Sequence, residues 1–230
     1  MIASGQAATA FGWGTRAEGE NSTSFGQITV AYGGASTAFG WGAQAIGDIS
    51  TAFGDASEAY GYGATAFGDS SKAFGDYSTA FGEETIAAGE FSTSFGHNTQ
   101  SGRLLYDTTE ALIIKDNEEF KIVDANNTST VLQDGFTNYD EAYGVLTREG
   151  AQATAFGSDT KAIGNNATAW GNNTTASDEE STAFGIGTTA SGNHSTAFGF
   201  STTAGGEEST AFGIGTTASG SYSTAFGDST

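Results

Sequence analysis

Glycine recurs at every seventh residue from Gly5 to Gly96 and again from Gly150 to Gly227, with Asp178 the one exception. Large aromatics recur only every fourteen, as at Phe11, Phe25 and Phe39. Two nested short periods point to a stack of equivalent coils, in which each coil hydrogen-bonds its neighbours and none folds alone. Each heptad reads approximately Ser-Thr-Ala-Phe-Gly-x-x, as in STAFGDA (51–57) followed by SEAYGYG (58–64). Five residues suit a short strand, and the glycine with two variable residues suits a tight turn, since glycine accepts positive φ. The pattern predicts an all-β chain of strand, turn, strand, turn, closing a coil every 14 residues.

Side chains alternate across a strand, so the first and third heptad positions share one face and the second and fourth the other. The third position is alanine without a break from Ala31 through Ala38, Ala45, Ala52, Ala59, Ala66, Ala73 and Ala80 to Ala87. Only a thin interior needs that, so two strand layers close over alanine as a flattened roll. The fourth position of alternate heptads carries Phe11, Phe25, Phe39, Phe53, Phe67, Phe81, Phe95, Phe156, Trp170, Phe184, Phe198, Phe212 and Phe226. In the heptads between, the same place holds Glu18, Tyr32, Ile46, Tyr60, Phe74 and Glu149. If that position pointed inward, unpaired carboxylates would be buried at a high cost, so the phenylalanine column is predicted to point outward. An outward aromatic stripe of this length exceeds what a soluble monomer exposes, and the chain is expected to self-associate along it. The more variable sheet is expected to face solvent.

Composition removes several classes of function. With 35 glycines and no proline the chain could be taken for disordered, but 17 Phe, 8 Tyr and 3 Trp on a strict repeat argue for order. A formal net charge of −20 disfavours nucleic acid and anionic membranes, which need a Lys/Arg footprint. The absence of cysteine removes disulfides, thiol catalysis and thiolate metal sites. No run approaches the roughly 18 apolar residues of a membrane span, so no membrane insertion is expected, and a signal or anchor would lie outside this segment. None of the common local active-site signatures is present, and no enzyme activity and no cofactor are expected. His97 and His194 read as solvated turn residues. The acidic turns with Asp55, Asp69, Asp76, Glu83, Glu84, Glu207 and Glu208 read as solvated rather than Ca²⁺-binding, on the expectation that they form no continuous column.

The stretches NSTSFG (21–26) and NATAWG (166–171) and the many STAFG units resemble the head repeats of YadA-like trimeric autotransporter adhesins, close to Asn-Ser-Val-Ala-Ile-Gly. The resemblance covers about four-fifths of the chain. It implies a left-handed parallel β-roll assembled as a homotrimer, with the phenylalanine column as the trimer interface. Phenylalanine replaces the family's aliphatic residue almost throughout, and no neck or stalk motif is recognisable. Similar repeats occur in phage tail fibres.

The organisation expected is a first roll block at 1–102, an insertion at 103–145 and a second block at 146–230. Within the insertion, ALIIKDNEEFKIVD (111–124) reads as two apolar strands around a polar turn, a β-hairpin. The function implied is a non-enzymatic adhesin head at an outer-membrane-anchored, extracellular cell surface, attaching through many weak contacts to cells, matrix or glycans. The alternatives are a phage tail fibre or spike carried on a virion, and an ice- or crystal-binding solenoid suggested by the column Thr175, Thr189, Thr203 and Thr217. With one sheet taken by sister subunits, Trp13, Trp41, Tyr32, Tyr60, Tyr62 and Tyr77 form the candidate binding surface, because aromatics with a polar handle are common interface anchors.

Overall fold

The computed structural model describes residues 1–102, 112–116, 119–123, 129–131 and 151–229. Every coil takes 14 residues and contributes one long and one short strand, for example Thr51–Asp55 and Glu58–Ala59. The long strands form one 13-stranded sheet and the short strands a second of equal number, each in simple sequential order. All their pairings are parallel and in register, so Thr65, Phe67 and Asp69 stand beside Thr79, Phe81 and Glu83. This is a two-layered parallel β-solenoid. Stacking of whole coils turns the 14-residue sequence period into columns of like residues.

The interior is as thin as the sequence predicts. Ala38, Ala45, Ala52, Ala59, Ala66 and Ala73 have no exposed surface, and the serines and threonines of the first heptad position, such as Ser36, Ser50 and Thr85, are buried with them. A few of these hydroxyls bond the backbone, as where Ser22 Oγ donates to the carbonyl of Gly19 at 2.7 Å, whereas those of Ser36, Ser50 and Thr85 are buried with no hydrogen-bond partner. Only small side chains fit between the layers, so the alanine position is interrupted by nothing larger than serine, at Ser24, Ser94 and Ser101.

The two heptads of a coil are less alike than their sequences suggest. The expected pattern was five strand residues followed by glycine in the turn. Instead the long strand runs Thr-Ala-Phe-Gly-x, with the glycine inside it, and the other heptad keeps only two strand residues. There the chain leaves the sheet early. The N–H groups of Tyr32 and Gly33 both donate to the carbonyl of Ala45, at 2.7 and 3.4 Å, bending the chain into its turn.

The reason expected for glycine, a positive φ, holds on the long strands, as at Gly12, Gly54 and Gly68 with φ of +125°, +129° and +127°, but not for the glycines of the other heptad. The left-handed backbone needed by each turn falls two residues after the glycine, on Asn21, Ala35, Ile49, Ala56, Tyr77 and Phe91 among others. Each is held by its coil neighbour, as where Ile49 N–H donates to the carbonyl of Gly34 at 2.7 Å. The periodic glycines are needed for close approach. A Cβ on Gly61 would run into the carbonyl of Gly75, and one on Gly68, whose φ is +127°, into that of Gly82.

The roll is continuous across the insertion. Thr93–His97 pairs directly with Thr154–Ser158, and Gln100–Ser101 with Lys161–Ala162. Within the intervening segment, Leu112–Asp116 pairs antiparallel with Glu119–Val123, which pairs antiparallel with Ser129–Val131. The remaining inserted residues, including the polar turn at 117–118, lie outside the described residues.

Candidate interaction surfaces

Because alanine at the third position faces inward, the pleat turns the fourth position of every long strand outward. The thirteen aromatics from Phe11 to Phe226 therefore form one external ladder, a rung on each strand of the long sheet. Between phenylalanines the ring centroids are 4.7–5.1 Å apart and the ring planes lie within 10° of parallel. That spacing is the separation of hydrogen-bonded strands, so the backbone sets the stack. Phe95 and Phe156 keep it across the insertion, at 4.9 Å. Trp170 is the one irregular rung, tilted 40° and 44° against its neighbours. Even with neighbours on both sides, the internal phenylalanines stay 37–41% exposed. Stacking covers the ring faces and leaves the edges in water.

The flank of this ladder changes along the roll. The last residue of each long strand is Trp13, Gln27 and Trp41 at the start, then Asp55, Asp69 and Glu83, and later Ile186, Phe200 and Ile214. Asp55, Asp69 and Glu83 stand on adjacent strands in register as a short run of three, while Asp76, Glu84, Glu207 and Glu208 lie at other coil positions, so the seven do not form one continuous column. Asp76 does not join them, because it lies in the turn after the short strand Lys72–Ala73, where its Oδ1 accepts from the N–H of Tyr62 at 2.8 Å. Among the described residues no three acidic, histidine or cysteine side chains converge in a way that could hold a metal ion. His194 instead meets Glu180 of the preceding coil at 3.6 Å. Ile186, Phe200 and Ile214, all more than half exposed, widen the apolar stripe at the far end. The sequence reading missed them, although AFGIG, AFGFS and AFGIG recur at the 14-residue step and would have disclosed them.

The short-strand sheet carries local polar clusters instead of a ladder. Arg16 pairs with Glu18, its Nε donating to Oε1 at 2.6 Å, while its guanidinium lies 5.5 Å from the Tyr32 ring centroid and donates to the Tyr32 hydroxyl at 3.1 Å. The hydrogen bond that Arg16 donates to Glu18 is the main reason its pKa is raised. Three rungs on, Glu58 accepts from Lys72 at 3.1 Å and from the Tyr60 hydroxyl at 2.8 Å, and Tyr60 stacks on Phe74 at 4.8 Å. In the second block this sheet simplifies to Thr175, Thr189, Thr203 and Thr217 in register. Beside the insertion, Asn98 Nδ2 donates to Asp159 Oδ1 at 2.7 Å, and this bond is the first cause of a lowered Asp159 pKa.

The six aromatics expected to form one binding surface occupy three places. Trp13 and Trp41 end long strands beside the ladder, two rungs apart with Gln27 between them, rather than sitting in turns. Tyr32 and Tyr60 belong to the two polar clusters of the short-strand sheet. Tyr62 and Tyr77 lie on the turn that follows the short strands and meet edge to face at 5.3 Å. Phe91, which sequence reasoning overlooked, continues that turn group by stacking on Tyr77 at 5.2 Å.

Among the described residues no helix is long and apolar enough to cross a membrane. No curated protein matches the chain. The YadA head domain repeat, by contrast, matches it at residues 3–27, 31–57, 59–85, 75–99, 149–177, 176–202 and 204–230, on both sides of the insertion. Those matches fall on the coils of the parallel solenoid, whose all-β architecture agrees with the resemblance first seen in NSTSFG and NATAWG. With the repeat spread over most of its length, the chain belongs to the YadA head-repeat family.

Proposed function

We propose that the chain is the head of a trimeric adhesin, presented at a cell surface and attaching it to cells, matrix or glycans. The observation that carries this reading is the external ladder of thirteen aromatics, regular over the whole roll. At about 4.8 Å per rung it runs for roughly 55–60 Å, an apolar stripe far larger than a monomer keeps in water. Three copies meeting along it satisfy the ladder of each, and the short-strand sheets and turns remain outside. A rigid rod with three equal outer faces suits attachment by avidity, in which weak contacts add because they are held on one body. The strongly acidic surface favours a partner that is neutral or basic.

The test is attachment by coated beads. Beads carrying the protein are expected to bind at least one of cultured cells, matrix proteins or glycan arrays. Beads carrying the Phe53→Asp, Phe67→Asp variant are expected to lose that binding. Failure of wild-type beads on all three surfaces contradicts the attachment reading. Binding that survives when the ladder is broken contradicts the role given to assembly.

A further inference from the structure

Every long strand begins with threonine, from Thr9 to Thr224, so a uniform threonine column runs along one side of the aromatic ladder. In-register pairing stacks its members, as where Thr51, Thr65 and Thr79 stand side by side. The pleat turns these threonines outward with the rings, and each is exposed or half-buried. Along the other side runs the strand-end column, with Trp13 and Trp41, then Asp55, Asp69 and Glu83, and later Ile186, Phe200 and Ile214. Each column lies about 7 Å from the ladder, two residues along the strand. Strand propensity does not account for the threonine. The leading position of the short strands is also extended and outward, yet it holds Arg16, Val30, Gln44, Glu58, Lys72 and Ile86 in turn.

The two columns are suited to each other. The strand-end column changes from indole to carboxylate to aliphatic, so a constant partner for it must both cover apolar side chains and donate hydrogen bonds. Threonine does both, through its γ-methyl and its hydroxyl. Valine lacks the donor and serine lacks the methyl. Symmetry supplies the meeting. When copies turn about an axis parallel to the roll, their strands follow one another head to tail around it. The first residue of each long strand then comes against the last residue of the same strand in the next copy. Copies packed with their rolls antiparallel would instead set threonine against threonine.

We infer that the threonine column of one copy and the strand-end column of the next form a heterologous seam, matched rung for rung. Thr51, Thr65 and Thr79 donate across it to Asp55, Asp69 and Glu83, while Thr182, Thr196 and Thr210 cover Ile186, Phe200 and Ile214. The inference rests on the assembly proposed above and adds to it which side chains meet and in what step. Trp13 and Trp41 then belong to the seam rather than to a receptor site.

The chain has no cysteine, so introduced thiols are unique. Full-length chains carrying Thr65→Cys, assembled together with chains carrying Asp69→Cys, are expected to give a linked pair on a denaturing gel after treatment with a short bismaleimide. Either variant assembled alone is expected to give none, and so is the mixture of Thr23→Cys with Asp69→Cys, three rungs out of step. No link in the matched mixture, while native mass shows assembled copies, overturns the proposal, and so does a link in either variant alone. A monomeric wild type would overturn the assembly itself, which keeps the two failures apart. A second reading separates hydroxyl from methyl. Thr51→Val, Thr65→Val, Thr79→Val is expected to speed subunit exchange between differently labelled assemblies by about tenfold or more, because the carboxylates opposite lose their donors. Thr182→Val, Thr196→Val, Thr210→Val is expected to leave exchange unchanged or slower. Equal effects of the two triple variants overturn the pairing.

Discussion

The two outer faces of the roll share one backbone and differ in almost everything else. On the long-strand sheet, threonine and an aromatic repeat on every rung, and the rings stack within 10° of parallel over most of the length. On the short-strand sheet the equivalent places hold Arg16 and Glu18, Gln44 and Ile46, Glu58 and Tyr60, then Thr175 and Ser177. Both faces tolerate their side chains sterically, because both point away from the alanine core. Solvation alone therefore does not explain why only one face is uniform. The assembly proposed above would account for it, since a surface meeting copies of itself along its whole length must offer the same chemistry at each rung, whereas a free surface can vary rung by rung.

That comparison is broken most severely by charging the uniform face. Phe53→Asp with Phe67→Asp is expected to remove two buried rings per subunit and bring carboxylates together, a loss on the order of 10 kcal/mol per trimer. Sedimentation of the variant should show dissociated or aggregated chains.

Next in size is a change that strikes both sheets alike. Gly68→Ala and Gly61→Ala each place a Cβ against the carbonyl of the next coil, so each is expected to destabilise the roll by at least about 3 kcal/mol. Thermal melts of the two variants should fall by similar amounts. A large drop for one alone would mean that the glycine column is required on only one side of the roll.

Asp178 sharpens the same point in the opposite direction. It stands where the period calls for glycine, and its N–H donates to Ser181 Oγ at 3.2 Å, whereas Gly33 and Gly206 donate to the next coil at 3.4 and 3.3 Å, and Gly192 makes both kinds of bond, to Ser195 Oγ at 3.1 Å and to the carbonyl of Ala204 at 3.3 Å. Asp178→Gly is expected to stabilise by about 1 kcal/mol, seen as a melting temperature higher by roughly 2–4 °C.

The smallest effect belongs to the variable face. Glu58→Gln weakens the contacts with Lys72 and Tyr60 but leaves the coil geometry untouched, and is expected to cost about 0.5–1 kcal/mol with assembly unchanged by sedimentation.

Much of this architecture is legible in the sequence because a solenoid writes its geometry as a period. The 14-residue coil and the alanine core follow from spacing and alternation, and the outward direction of Phe53 or Phe198 from these together with the cost of burying Glu18 and Glu149. The strand lengths do not, since STAFGDA and SEAYGYG look equivalent until hydrogen bonding shows one chain leaving its sheet at the fourth position. The turn conformation is hidden for another reason. The left-handed position accepts Asn21, Ile49, Tyr77 and Phe91 alike, so no residue type marks it, and glycine drew attention to the wrong place. The candidate binding residues were chosen by type rather than by column, and that is why they scatter over three sites. Reading at steps of 14 would have stacked Asp55, Asp69 and Glu83, and Ile186, Phe200 and Ile214.

The central claim is that the aromatic ladder is an interface between copies, and the mass of the native particle tests it most directly. Native mass spectrometry or sedimentation equilibrium at micromolar concentration is expected to give three times the 23.3 kDa of one chain. A soluble 23.3 kDa monomer under the same conditions, with its thirteen rings in water, would contradict the account.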